Sequence, residues 1–145
     1  MQRFLNAIKN VGLYELNSQS IINVQNQIVA EKFRATDYRT SEIYVGTTIQ
    51  RFGLQDEDVH YVGAKQTHVA SMMHGLFKLH ENLMLDQSIP PLIHATIISF
   101  GEVYIHPFDD GNGRLHRYLI HEVMKHREPE HQFIIPISAA ILKNQ

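Results

Sequence analysis

The sequence predicts an all-α fold, a mainly helical bundle, with one small β-hairpin set into it. Three observations carry this. Four stretches place apolar residues at helical spacing. A region near the middle is rich in threonine, valine and tyrosine, residues that favour strands. A glycine-rich turn separates the last two helical stretches. At 145 residues the chain suits one domain over 1–145, with its core between about residue 20 and residue 142. Its 43% hydrophobic and 19% charged residues are enough apolar material to exclude a disordered chain. No apolar run nears the roughly 18 residues that cross a bilayer, and Met1 to Leu5 lacks the features of a signal peptide. Cysteine is absent, which removes disulfides and thiolate metal sites. A net charge of -2 gives no general attraction to nucleic acid or acidic membranes. The expected location is cytoplasmic, or inside a host cell after non-classical export.

The first helix is expected over Asn17 to Ala30. Ile21, Ile22, Val24, Ile28 and Val29 form its apolar pattern, with Ser18 or Ser20 as cap. Glu42 to Thr48 reads as a strand, with Gly46 as a bend or bulge. Phe52 to Asp58 reads as a loop, and Val59 to Val62 as the second strand of the hairpin. The helical period returns from Thr67 to Leu85, where Val69, Met72, Met73, Leu76, Leu79 and Leu83 form a stripe. Pro90-Pro91 starts a helix over Leu92 to Tyr104 that is apolar on nearly every face, the mark of a central helix. Pro107 stops it. The last helix runs from about Asn112 to Lys125 with Leu115, Leu119, Ile120, Val123 and Met124 inward. The apolar tail, Phe133 to Leu142, ends without a stop signal, so the chain is expected to be a piece of a longer protein.

The chemistry is concentrated between the two best helices, in His106-Pro107-Phe108-Asp109-Asp110-Gly111-Asn112-Gly113-Arg114-Leu115-His116-Arg117. Gly111-Asn112-Gly113 lies at a helix start, where backbone N–H groups and the macrodipole favour an anion. Glycine allows close approach, and asparagine tolerates a left-handed backbone while offering an amide donor. Arg114 and Arg117, three apart, share a helix face and suit a polyphosphate. Asp110, beside the turn, is placed to hold Mg²⁺ against phosphates. His106 is the one group here that titrates near neutrality, so it can accept a proton from an attacking hydroxyl. Phe108 anchors the loop. Singly, each piece is a common turn or a solvated face; their order and spacing together point to phosphate chemistry.

This segment resembles the signature of the Fic family: His-Pro-Phe, a free residue, Asp or Glu, Gly-Asn-Gly-Arg, two free residues and Arg. Every specified position is met, with Asp109, Leu115 and His116 in the free places. Phe33 to Arg39, followed by Ile43-Tyr44-Val45-Gly46, is similar to the family's lead into its flap hairpin, and Leu92 to Ile105 to its central helix. The resemblance implies a protein adenylyltransferase, which moves AMP from ATP onto a Ser, Thr or Tyr hydroxyl of a target protein and releases pyrophosphate. His106 would be the general base and Asp110 the Mg²⁺ ligand. Residues Asp110, Gly111, Asn112, Gly113, Arg114, Leu115, His116 and Arg117 would bind the nucleotide, with Arg114 on the β-phosphate and Arg117 on the γ-phosphate. Glu42, Ile43, Tyr44, Val45, Gly46 and Thr47 would form the flap that clamps the target.

Relatives that transfer the γ-phosphate carry lysine where Gly113 stands, so Gly113 favours AMP transfer. Many relatives carry an inhibitory helix whose glutamate blocks the second arginine. Here Ser18 to Asn23 is the nearest stretch, and Ile22 stands in the glutamate's place. The inhibitory segment is then absent, outside this chain, or supplied by a partner such as an antitoxin. Two alternatives stand beside the adenylyltransferase: a related transferase that uses another nucleotide or removes AMP, and a nucleotide-binding regulatory module without turnover.

Overall fold

The computed structural model describes residues 2–13 and 15–130, and the tail expected over Phe133 to Leu142 lies outside them. Its elements in chain order are α1 (Gln2–Ile8), α2 (Ser18–Ile28), β1 (Tyr44–Arg51), β2 (Leu54–Val62), α3 (Val69–Leu85), α4 (Pro91–Ile105) and α5 (Asn112–Arg127). The expected fold class is the observed one: a helical bundle with one two-stranded antiparallel sheet.

Local chemistry sets the helix ends. Asn17 caps α2 in a capping box, its side chain accepting from Ser20 N while Ser20 Oγ accepts from Asn17 N. The expected cap, Ser18 or Ser20, is therefore corrected: Asn17 has the extended backbone a cap needs, and Ser20 is the reciprocal partner. Pro91 opens α4. A 3-10 turn, Gln66–His68, leads into α3, which starts later than Thr67.

Helices α4 and α5 form the centre. They run antiparallel, since His116 meets Ser99 and Arg127 meets Ile89. Ala95, Ile98 and Ile105 of α4 pack with Leu115, Leu119 and Val123 of α5, and with Ile21, Ile28, Met73 and Phe108. All five α5 residues expected inward are buried. Two expectations are corrected. Met72 and Leu79 of α3 are exposed, and Phe77 takes the inward place. The α4 helix is not covered on every face: Ile93, Ile97, Phe100 and Tyr104 are exposed, while His94, Ser99 and Glu102 are buried.

The hairpin also differs from expectation. Glu42 and Ile43 precede β1, which continues to Arg51. The expected loop Phe52 to Asp58 is mostly strand; only Phe52 and Gly53 turn. Both have positive φ, 52° and 80°, the pattern of the two-residue turn that matches strand twist. Gly46 does sit at a bulge: the register shifts between Val45 and Gly46, leaving His60 unmatched. A Cβ on Gly46 would lie 2.7 Å from Asp58 O, so glycine lets the strands close there.

Candidate active site

The site is built where α4 stops and α5 starts. Pro107 forbids the helix from continuing, and His106 leaves it in the left-handed region, φ 58° and ψ 62°. That is an unfavourable state for a residue with a side chain, at roughly 1–2 kcal/mol. Its surroundings hold it there. His106 N donates to Glu102 O at 2.9 Å, and His106 O accepts from Arg39 Nε at 2.6 Å. Imidazole Nδ1 lies 3.0 Å from Val103 O. A carbonyl only accepts, so Nδ1 carries the hydrogen and Nε2 is left as the base. Burial pushes the His106 pKa below its ordinary 6.5; the Val103 bond opposes this and the Arg39 guanidinium adds to it. Neutral imidazole with Nε2 free is the form a general base needs at pH 7.

The turn that follows is fixed from both sides. Phe108 is fully buried and tilts against Tyr38, with ring centroids 5.7 Å apart. Asn112 accepts from Phe108 N at 3.1 Å and donates to Phe108 O at 2.7 Å. Gly111, at φ 100° and ψ -6°, takes the left-handed conformation and precedes α5. The role expected of Asn112 is thus corrected. Its side chain is buried and committed to Phe108, so it offers an anion only its backbone N–H. The buried Gln25 holds the turn from outside by donating to Asp110 O at 3.0 Å.

The charged groups take definite partners. Arg114 meets the Asp110 carboxylate at 3.0 and 2.8 Å and donates to Ile28 O at 2.9 Å. The guanidinium of Arg117 lies over the Phe4 ring of α1, 5.9 Å from its centroid. The side chains of Leu115 and His116 do not face the turn. Leu115 is fully buried in the core, and His116 Nδ1 lies 2.9 Å from Ser99 O on α4. Helical geometry turns both toward α4, so neither offers a nucleotide its side chain. Asp110 suits Mg²⁺, a hard cation that takes one or two carboxylates and fills its shell with phosphate oxygens and water. Among the described residues no group of three His, Asp or Glu could hold a metal by itself.

A pocket of about 630 Å³ brings His106, Asp110 and Gly111 to Gly113 together. Its other wall is apolar: Val45 and Tyr61 of the hairpin, and Phe100, Val103 and Tyr104 of α4. Of the six residues expected in the flap, Val45 is the one that lines it. Tyr44 is half exposed, Gly46 and Thr47 continue the exposed strand, and Glu42 accepts from Gln66 N at the hairpin base. Ile43 O accepts from Gly63 N at 2.9 Å. Since the sheet has two strands, each has an edge without a strand partner among the described residues.

Sequence reasoning missed Tyr61, Phe100, Val103, Tyr104 and Asp109 as residues lining this pocket. Tyr61 donates to Tyr104 O, and its ring lies 6.2 Å from that of His106. The spacing of Phe100 and Tyr104, four apart and facing the end of α4, was the available signal. Tyr61 carried none, because only the hairpin register brings it opposite Val45.

A sequence model of the Fic/DOC family matches residues 15–124. Two solved structures share the fold. One is a Fic domain containing signaling protein from Bacteroides thetaiotaomicron, 18% identical with a TM-score of 0.70, covering 98% of this chain and 53% of that one. The other is a Fic family protein from Desulfovibrio desulfuricans, 18% identical with a TM-score of 0.64, covering 88% of this chain and 36% of that one. The chain therefore spans about half the length of the first and about a third of the second. No curated protein matches.

Proposed function

The chain belongs to the Fic/DOC family, and from that premise we propose that it transfers AMP from ATP to a Ser, Thr or Tyr hydroxyl of a target protein. The observation that carries this reading is one juxtaposition. A neutral imidazole with Nε2 uncommitted lines the same pocket as a glycine turn at the N-terminus of a sixteen-residue helix. The first can take a hydroxyl proton, and the second can hold phosphate oxygens.

In the proposed reaction the acceptor oxygen attacks the α-phosphorus as its proton passes to His106 Nε2. The bond from the α-phosphorus to the bridging oxygen breaks, and pyrophosphate leaves with the electron pair. The N–H groups at the start of α5 face the phosphates, and Arg114 and Arg117 add charge at the outer ones. Asp110 is the residue that would hold Mg²⁺, which would neutralise phosphate charge in the site. Gly113 leaves the turn open: a Cβ there would meet nothing nearer than Arg117, at 3.9 Å. The open edges of the hairpin suit an acceptor segment in extended form.

The test is incubation of the protein with α-labelled ATP, Mg²⁺ and a cell lysate, beside His106→Ala. Label should pass to protein with wild type and fall at least ~100-fold in the variant, the low end for loss of a general base. Label retained in His106→Ala would remove the proposed base. ATP binding without transfer by the wild type, under any donor, would favour a binding module.

A further inference from the structure

Arg39 is an unusual residue for its position. It lies in the link between α2 and β1, where long cations are normally solvated, yet it is 5% exposed. Its hydrogen bonds all go to carbonyls. Nε donates to His106 O at 2.6 Å, and one terminal nitrogen donates to Ser41 O at 2.6 Å. The other donates to Ala64 O and, at 3.4 Å, to Ile105 O. Arg39 N donates to Pro107 O at 2.9 Å. One side chain thus joins three segments: the stretch entering the hairpin, the stretch leaving it, and the junction that carries His106.

The surroundings are shaped to admit it. A Cβ on Gly63 would sit 3.1 Å from the Arg39 guanidinium, 2.7 Å from Ile43 and 3.4 Å from His106 Cβ. The absence of a side chain there lets the hairpin base close on Arg39. Ala64 N then donates to Ile105 O at 3.3 Å, and Tyr61 to Tyr104 O. The guanidinium also meets the last carbonyls of α4, where a cation is favoured by the helix dipole.

We propose that Arg39 is a positioning residue: it locks His106 in its left-handed conformation and ties the flap to it, so that base and acceptor edge keep one geometry. The planar fork is required, because the three nitrogens reach carbonyls on different segments, and a lysine ammonium cannot span them. Without Arg39, His106 O would keep no hydrogen-bond donor among the described residues. Removing the cation also changes the field at His106, whose other charged or titratable companions in the pocket wall are Asp109, Asp110, Tyr61 and Tyr104. The catalytic consequence rests on the transferase reading above; the structural claim does not.

The experiment compares wild type, Arg39→Met and Arg39→Lys. The His106 ring is titrated by NMR, and transfer kinetics are measured with ATP and a labelled acceptor. In wild type the ring should titrate below 6.5. In Arg39→Met its pKa should move up toward 6.5, since the cation is gone. Arg39→Lys keeps the charge and serves if the Met variant does not fold. It should lose at least ~10-fold in kcat with KM for ATP little changed, because the turn from Gly111 to Gly113 is untouched, and its flap amide resonances should shift. A folded variant of either kind whose His106 titration, flap resonances and kcat all match wild type would overturn the proposal. If the wild type itself transfers nothing, the functional reading fails, and the NMR comparison still decides the role of Arg39.

Discussion

Gly111 answers two constraints at once. Its φ of 100° is a conformation other residues enter at a cost, and a Cβ there would lie 2.6 Å from Val29 Cγ1 at the end of α2. Backbone strain contributes about 1 kcal/mol and the overlap about 1–3 kcal/mol. Gly111→Ala should therefore lose roughly 2–4 kcal/mol in urea denaturation. It should also weaken ATP binding by calorimetry, since the turn would be pushed away from the fully buried Val29. A loss under about 1 kcal/mol would mean that the turn is not held by α2. The glycine was legible in the sequence as part of a turn before a helix. Which residue of Gly111-Asn112-Gly113 takes the left-handed backbone was not, since glycine and asparagine both tolerate it. The answer depends on Phe108, whose backbone claims both ends of the Asn112 amide once the ring is buried. Arg39 was equally illegible in its role. Nothing local distinguishes an arginine that will reach three distant carbonyls from one that will face water.

At the scale of elements, legibility follows burial. The helices α2, α3 and α5 each put an apolar face into the core, so their periodicity showed them. The hairpin buries almost nothing, with strand residues Thr47 to Val59 nearly all exposed. Its second strand includes Gln55-Asp56-Glu57-Asp58, which reads as a loop because no face alternates. Backbone pairing and the Phe52–Gly53 turn make it a strand, helped by cross-strand contacts such as Thr48 Oγ1 to Glu57 at 2.7 Å. The hairpin should then be the first part to open, and its turn should control it. Gly53 has φ 80° and no atom within 4 Å of a Cβ, so Gly53→Ala adds strain without a clash. About 1 kcal/mol of local destabilisation is expected, or roughly fivefold faster amide exchange across Thr47 to Val59. The melting temperature should hardly move, because no core contact changes. An equal drop in Tm would show that the hairpin folds as one unit with the bundle. The α4 helix marks the opposite limit. Composition made it apolar on nearly every face, yet Ile93, Ile97, Phe100 and Tyr104 are exposed, because composition shows what a face prefers and not what is there to cover it.

At the scale of the whole molecule, the end of α5 opposite the site, about 24 Å away, is held by histidines that spacing in the sequence left apart. Arg127 donates to His94 Nδ1 at 3.1 Å, and His94 Nε2 lies 3.1 Å from His80 Nδ1. Arg127 also bonds Leu83 O and Ile89 O, so α3, α4 and α5 meet there. The donor pattern fixes the protons. Arginine only donates, so His94 Nδ1 accepts, His94 Nε2 carries hydrogen, and His80 Nδ1 accepts in turn. A further proton on either ring would set donor against donor. Burial lowers both pKa values to about 4, with neighbouring His126 and Arg127 adding positive charge, and Glu81 opposing at His80. In the unfolded chain both rings titrate near 6.5. Their contribution is then complete above pH 6.5 and is lost as pH falls through 4, since the unfolded state takes up the protons first. Glu102 works the other way. Both its carboxylate oxygens are buried without a hydrogen-bond partner among the described residues, and burial raises its pKa well above 4.5. It favours the folded state at low pH and costs stability as pH rises from 4.5. Two histidines against one carboxyl should leave a net loss of stability between pH 7 and pH 4. Urea midpoints measured across that range should fall. In Glu102→Gln the opposing group is gone, so stability should be higher at pH 7 and the fall steeper. Midpoints that stay level in both proteins would mean that the paired histidines take up protons without breaking the junction they form.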